Sequence, residues 1–409
     1  MAVMTSCGWA SAFVFWSAIA PFSPVQAQTF TPHLLHNFTG RPDGSEPAAT
    51  VFRDADGNLF GTTAAGGSNG CVVGCGTVYE VSKDGQEQVL YRFQGGTDGA
   101  FPVAAVTMDG TGNLYGTTGG GNGNDSTLFK LAPDGTETVL HTFTYQDVNS
   151  TPVLDAAGNL YGASHYGGDV NCGYNGNGCG FIYKLDSSGK YSVIYTFKNV
   201  RDGVTPYFNI VMDAKGTLYG TAAFGGDIRC DAPTGCGAIF KLEPNGAYTV
   251  LHRFTGKKDG WAPGAITLDA AGNVYGTTAE GADLGCYPPL GCGVIYKIDT
   301  TDKFSVLFTF TASQVCCGPG SYTPIVDSSG DLYDSMAING AHNDGYVYEL
   351  DTKGNFTDLF DYAACGESAY GAQASTLVRD KHGTYYGTMS YGANDPCGEG
   401  GGTVFKLTP

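Results

Sequence analysis

The chain has 409 residues, with 39 acidic against 21 basic and a formal charge of −18, so it lacks the basic footprint that nucleic acid or an anionic membrane demands. Its 63 glycines announce many turns, yet 42% hydrophobic residues and frequent aromatics exclude a disordered glycine-rich chain.

Residues 1–27 read as a signal peptide. WASAFVFWSAIA (9–20) is an apolar core too short to span a bilayer. PFSPVQA follows, with small residues at Val25 and Ala27, so cleavage is expected after Ala27. No Lys or Arg precedes the core, which leaves an uncleaved membrane anchor as the alternative. Cys7 lies ahead of the core, on the wrong side for a lipoprotein. No second apolar run of spanning length follows.

From residue 28 onward the chain repeats itself. GNLFGTT (57–63), GNLYGTT (112–118) and GNVYGTT (272–278) belong to a series beginning at Gly57, Gly112, Gly158, Gly216, Gly272, Gly330 and Gly383. An Asp stands three residues before each, from Asp54 to Asp380. A fixed period of this length points to a propeller or a solenoid. Each unit holds four runs of Val, Leu, Tyr, Phe and Thr bounded by Gly, Asp and Asn, the mark of short antiparallel strands. The fourth run appears seven times: LLHNF (34–38), VLYRF (89–93), VLHTF (139–143), VIYTF (193–197), VLHRF (250–254), VLFTF (306–310) and DLFDY (358–362). The first of these precedes the first full repeat, and the last repeat ends after its third strand. Pairing those ends closes a ring and removes an open edge. The expectation is therefore all-β: one seven-bladed β-propeller over residues 28–409, four antiparallel strands per blade, with the N-terminal strand completing the last blade.

GNLYGTT, followed by GG, GTVFKL-like runs, VLHTF and D-G-x-x-P, resembles the Gloeo-Verruco (GloVer) tandem repeat of bacterial secreted and surface proteins. The resemblance covers essentially the whole mature chain. It implies no catalytic residue set, because the family carries no established activity. Members are often tethered by C-terminal sorting signals; this chain stops at FKLTP, so release rather than anchoring is expected.

The D-x-x-G-N-L segments read as turns, Asp capping and Gly taking positive φ. DADGN (54–58) lacks the distal Glu of a calcium loop. GTT is expected near the hub, where small residues let blades approach. Four D-G-x-x-P segments (43–47, 98–102, 202–206 and 259–263) lead from one blade to the next. They open on the same face as the long, variable loops between second and third strands, where propeller ligands are expected. Cys71/Cys75, Cys172/Cys179, Cys230/Cys236 and Cys286/Cys292 lie within those loops and read as local disulfides, with a zinc site as the rival for Cys71 and Cys75. Cys316 and Cys317 form a vicinal pair or reach elsewhere, with Cys365 joined to Cys397 or to one of the two.

His36, His141 and His252 share the third position of the fourth strand with Tyr91, Tyr195, Phe308 and Phe360, so they read as packing aromatics. His382 falls in a turn and His33 near the mature terminus. His165 and His342, with Tyr166, remain as candidate catalytic groups. Tyr166, Arg229, Trp261, Tyr287, His342 and Tyr391 are the candidate ligand-binding residues. Aromatic faces beside loop carboxylates suit sugar rings, although solvated acidic loops are the plain alternative. Two readings follow. One is a secreted, monomeric propeller binding extracellular glycan or a surface protein. The other is an extracellular polysaccharide lyase or glycoside hydrolase with its site in the central funnel, where Arg229, Lys257 or Lys258 neutralises a uronate. No metal, cofactor, nucleic acid or membrane partner beyond the signal peptide is expected.

Overall fold

The computed structural model describes residues 30–409 apart from 48, 120–124, 145–147, 149, 170, 173–176, 207, 232–233, 284, 287–290, 313–322, 337–344, 362–375 and 391–400. The 1–27 segment therefore lies outside the described residues. Blade 1 consists of Phe52–Arg53, Leu59–Thr63, Thr77–Val81 and Glu87–Arg92, hydrogen-bonded in that order. Blades 2 to 6 repeat the pattern, and all seven sheets have four antiparallel strands. Blade 7 adds Thr31–Asn37 beside Thr403–Thr408, in register from Thr31↔Thr408 to Asn37↔Thr403. The ring is closed as expected: a seven-bladed β-propeller.

The repeated letters divide the work of packing. In the second strand, Gly61, Gly162 and Gly276 lie beneath Tyr79, Tyr183 and Tyr296 of the third, and a Cβ at any of them would collide with the tyrosine hydroxyl. Glycine here gives up a side chain so that an aromatic ring covers the strand. The same tyrosine then receives the phenylalanine that ends the preceding blade's fourth strand. Phe38–Tyr79, Phe143–Tyr183 and Phe254–Tyr296 have ring centroids 4.9, 5.0 and 5.5 Å apart. Each such pair contributes about 0.5–1.5 kcal/mol beyond its buried area.

The threonines do more than stay small. The threonine at the first of these positions donates its hydroxyl to a carbonyl in or just before the next blade's first strand: Thr62 to Ala104 (2.9 Å), Thr117 to Ser150 (3.1 Å), Thr221 to Gly264 (2.9 Å) and Thr388 to Ala49 (3.1 Å). The second shares a hydrogen bond with the third strand, as in Thr63–Thr77 and Thr118–Thr127, both 2.8 Å. Every fourth strand also carries a bulge at one place, for example between the Val78↔Tyr91 and Tyr79↔Val89 pairs, where Leu90 is extra.

The D-x-x-G-N-L turns are caps. Asp54 Oδ1 accepts from the Gly57 and Asn58 amides at 2.7 and 2.8 Å, and Oδ2 accepts from the Asn58 amide group. Asp109, Asp155 and Asp269 repeat this and also accept a tyrosine hydroxyl at 3.0–3.1 Å. D-G-x-x-P forms an inter-blade latch. Glu46, Phe101, Thr205 and Ala262, each just before the proline, have φ of 59°, 56°, 61° and 53°. Left-handed backbone in a non-glycine residue is strained, and hydrogen bonds hold it: Phe101, Thr205 and Ala262 donate to the Cys75, Cys179 and Cys236 carbonyls at 2.9–3.1 Å.

The latch also explains the histidine slot. Tyr91 donates to Asp98 at 2.6 Å, and His252 pairs with Asp259 at 3.0 Å. Blades whose next segment begins with Asp-Gly place His or Tyr in the slot, and Phe308 lies where that partner is missing. His141 stacks on Tyr191 at 3.8 Å, and burial lowers its pKa.

Candidate functional site

The loops between second and third strands meet the latches on one face of the ring. Four cystines staple them: Cys71–Cys75, Cys172–Cys179, Cys230–Cys236 and Cys286–Cys292, with Cα atoms 5.1, 5.3, 5.8 and 5.2 Å apart. Cys71 and Cys75 are bonded to each other, which removes the zinc alternative. The second member of each pair is fully buried. In blades 1, 3 and 4 its carbonyl takes the latch hydrogen bond, so each of those loops is tied to the next blade. Four cystines suit an oxidising compartment, extracellular or periplasmic. Among the described residues no helix is long and apolar enough to cross a membrane, which says nothing of membrane β-barrels. Cys316, Cys317, Cys365 and Cys397 lie outside the described residues.

One repeat position governs what this face presents. It lies at or just past the end of the second strand and directly precedes a glycine in blades 1, 3, 4 and 5, a Gly-Gly pair in the first three of these. It holds Ala65, Tyr166, Phe224 and Glu280 in blades 1, 3, 4 and 5. Tyr166 is 41% exposed and Phe224 39%. Tyr391 occupies the same position in blade 7 but lies outside the described residues, as do Tyr287 and His342. Phe224 and Glu280 escaped the sequence reading, although their alignment with Tyr166 was the available signal. His165 is one position earlier, in line with Ala64, Ala223 and Ala279, and is buried at 2% exposure. It therefore sits beneath the surface that Tyr166 reaches.

The blade 4–5 corner of the face is the richest. Trp261 opens the first strand of blade 5 and pairs in the ladder with Glu280. Equivalent D-G-x-x-P residues are small or buried: Ser45, Ala100 and Val204. The indole packs against Cys230 and Cys236, and its Nε1–H is buried with no partner among the described residues. Burial raises the Glu280 pKa, and the nearby Asp231 carboxylate adds to it. Across the cystine, Arg229 forms a bidentate pair with Asp227 at 2.7 and 2.9 Å. Its hydrogen bonds, reinforced by the Lys257 charge, hold Asp227 at a pKa of about 2. Arg229 is thus paired with Asp227 at the surface, its side chain largely exposed. On blade 1, Val72 is 98% exposed while Arg41 grips its carbonyl at 3.0 Å.

The structure brings Arg229, Trp261 and Lys257 to one corner, with Tyr166 on the neighbouring blade 3. It does not bring them into the central channel. That cavity, of about 510 Å³, is lined by Thr50, Thr151, Asn209, Thr323 and Thr376 above Phe52, Val153, Ile325 and Val378. Among its described lining residues Arg379 is the one ionisable group.

Comparison with known proteins supports the fold and the repeat. No curated protein matches the sequence. The chain is similar in structure to a catalytically inactive virginiamycin B lyase from Staphylococcus aureus, solved with quinupristin, at TM-score 0.58 and 14% identity, covering 93% of this chain and 99% of that one. It is also similar to the extracellular domain of a protein described as a hybrid two-component system from B. thetaiotaomicron. There the TM-score is 0.56 and the identity 10%, covering 93% of this chain but 40% of that one. At such identities the likeness shows the fold alone. The Gloeobacter/Verrucomicrobia repeat model matches residues 22–177 and 174–405, and the chain belongs to that repeat family.

Proposed function

We propose that the protein is a secreted propeller that binds neutral or weakly charged extracellular glycan on its stapled-loop face. One observation carries this reading. A single repeat position, at the end of the repeated second strand and before a glycine, presents Tyr166, Phe224 and Glu280 in three successive blades, with Trp261 opposite Glu280. Aromatic faces pack on the apolar side of a sugar ring, and a carboxyl group takes its hydroxyls. Cystines and latches hold the loops in place, which lowers the ordering entropy of binding. The carboxylates around them disfavour polyanions. A glycan array with the mature protein tests it: Tyr166→Ala and Trp261→Ala each weaken binding about tenfold. Binding unchanged in both ends the assignment.

A second reading, an extracellular carbohydrate-active enzyme, draws on Glu280. A half-buried carboxyl with raised pKa beside Asp231 is the kind of group that serves as a general acid. Polysaccharide turnover abolished by Glu280→Gln, with binding retained, would replace the first reading by this one.

A further inference from the structure

The opposite face, built from capped turns, departs from its own rule at one seam. The turn between third and fourth strands places glycine in the left-handed region in blades 1 to 4 and 6: Gly85, Gly135, Gly189, Gly246 and Gly354. Blade 5 has Asp302 there, with φ of 65°. A side chain at this backbone angle is strained, so glycine would be the easier residue.

Asp302 alters its neighbour. In blades 3 and 5 the third-strand lysine lies over the tyrosine of its own sheet, Lys184 over Tyr161 at 5.4 Å and Lys297 over Tyr275 at 5.1 Å. In blade 4 the equivalent Lys241 instead reaches across to Asp302, with Nζ 2.6 Å from Oδ2. Between the two blades is a groove of about 780 Å³, lined by Tyr219, Lys241, Glu243, Pro244, Leu268 and Asp302 among others. With Asp213, Lys215 and Asp269 also in the lining, its walls combine an aromatic ring, four carboxylates and two lysines, with Pro244 and Leu268 as apolar surface.

We propose that this groove is a second saccharide site, on the turn face between blades 4 and 5. The Lys241–Asp302 pair sets a donor and an acceptor side by side. Adjacent hydroxyls of a sugar ring match that pair: one donates to the Asp302 carboxylate while its neighbour accepts from the Lys241 ammonium. With both charges engaged by each other, the pair suits a neutral ligand. The site is independent of the stapled-loop face, and a chain with both sites bridges two glycan strands.

The test is calorimetry of the mature protein with maltohexaose, cellohexaose, laminarihexaose and mannohexaose. At least one binds, and Asp302→Gly and Lys241→Gln each weaken it about tenfold, the loss expected for one charge-assisted hydrogen bond. Asp302→Gly restores the residue that the other turns use, so it keeps or raises the melting temperature, and lost binding cannot be ascribed to misfolding. Three results overturn the proposal: no binding of any hexasaccharide, binding unchanged in both variants, or binding lost on Trp261→Ala but not on Asp302→Gly. The last would credit the loop face instead.

Discussion

Blade 3 and blade 6 solve the same packing problem differently. In blade 3, Gly162 leaves room for Tyr183, whose ring lies over the second strand and meets Phe143 from blade 2. In blade 6 the equivalent residue is Asp334, fully buried and directly opposite Tyr348 in the ladder. Tyr348 still packs on Phe310 and Phe356, at 5.8 and 5.1 Å. The Asp334 Oδ1 accepts the Ser335 amide at 2.8 Å, and burial lifts its pKa to about 7. The aromatic seams therefore hold without the glycine, but at neutral pH they hold around a carboxyl group that resists ionisation. The glycine is one solution to the packing, and blade 6 trades it for pH sensitivity.

Exchanging the two residues gives the largest expected effect. Gly162→Asp forces a side chain into the Tyr183 ring and buries a carboxyl group, at a cost of about 3–5 kcal/mol. Denaturant unfolding at pH 8 measures it; a cost below about 1 kcal/mol would show that the glycine does not matter. The reverse change, Asp334→Gly, stabilises the protein by about 2–4 kcal/mol at pH 8. The sign follows from linkage. The folded pKa lies above the ordinary carboxylate value of about 4, so the native state binds this proton more tightly than the unfolded one. That contribution is full below about pH 4, declines as pH rises toward 7 and is gone above it. Wild type and Asp334→Gly should accordingly converge in acid and diverge in base. Parallel profiles would place the strain elsewhere.

A smaller effect separates the blades through their loops. Replacing Cys172 and Cys179 by serine opens a seven-residue closure and costs about 2 kcal/mol. Hydrogen exchange should rise along the blade 3 loop and at Thr205, whose amide bonds the Cys179 carbonyl. Exchange in blade 6, whose equivalent loop carries no cysteine, should not change. Protection lost evenly around the ring would mean that the cystine supports the whole barrel of blades and not one loop.

The ring was readable because it is periodic. Seven spaced signatures and an offset between chain ends left few alternatives, and the aromatic slots followed from alternation within each strand. The fourth-strand bulge was visible in principle: V-L-H and V-L-Y put two apolar residues where alternation allows one. Cross-blade features were harder. Nothing in D-G-x-x-P alone says that the amide of its second variable residue bonds a cysteine carbonyl in the preceding blade. Likewise, Asp302 reads as an ordinary turn residue until Lys241, 61 positions earlier, is found beside it. Glu280 and Phe224 differ from Tyr166 in residue type, and only their shared place in the repeat puts them on one face. Which loop side chains converge depends on distances between blades, and periodicity carries no such distances.

The seam that closes the ring has a mechanical consequence. Thr31 and Thr408 are paired at one end of the antiparallel clasp, and Asn37 and Thr403 at the other. Tension applied between Thr31 and Thr408 loads the first pair alone, then the next, so the clasp opens as a zipper at low force instead of shearing all its bonds together. Tension applied within blades 1 to 6 enters through strands that are covalently continuous, and bypasses the clasp. The same molecule is thus weak to pulling at Thr31 and Thr408 and strong to pulling within any one of blades 1 to 6.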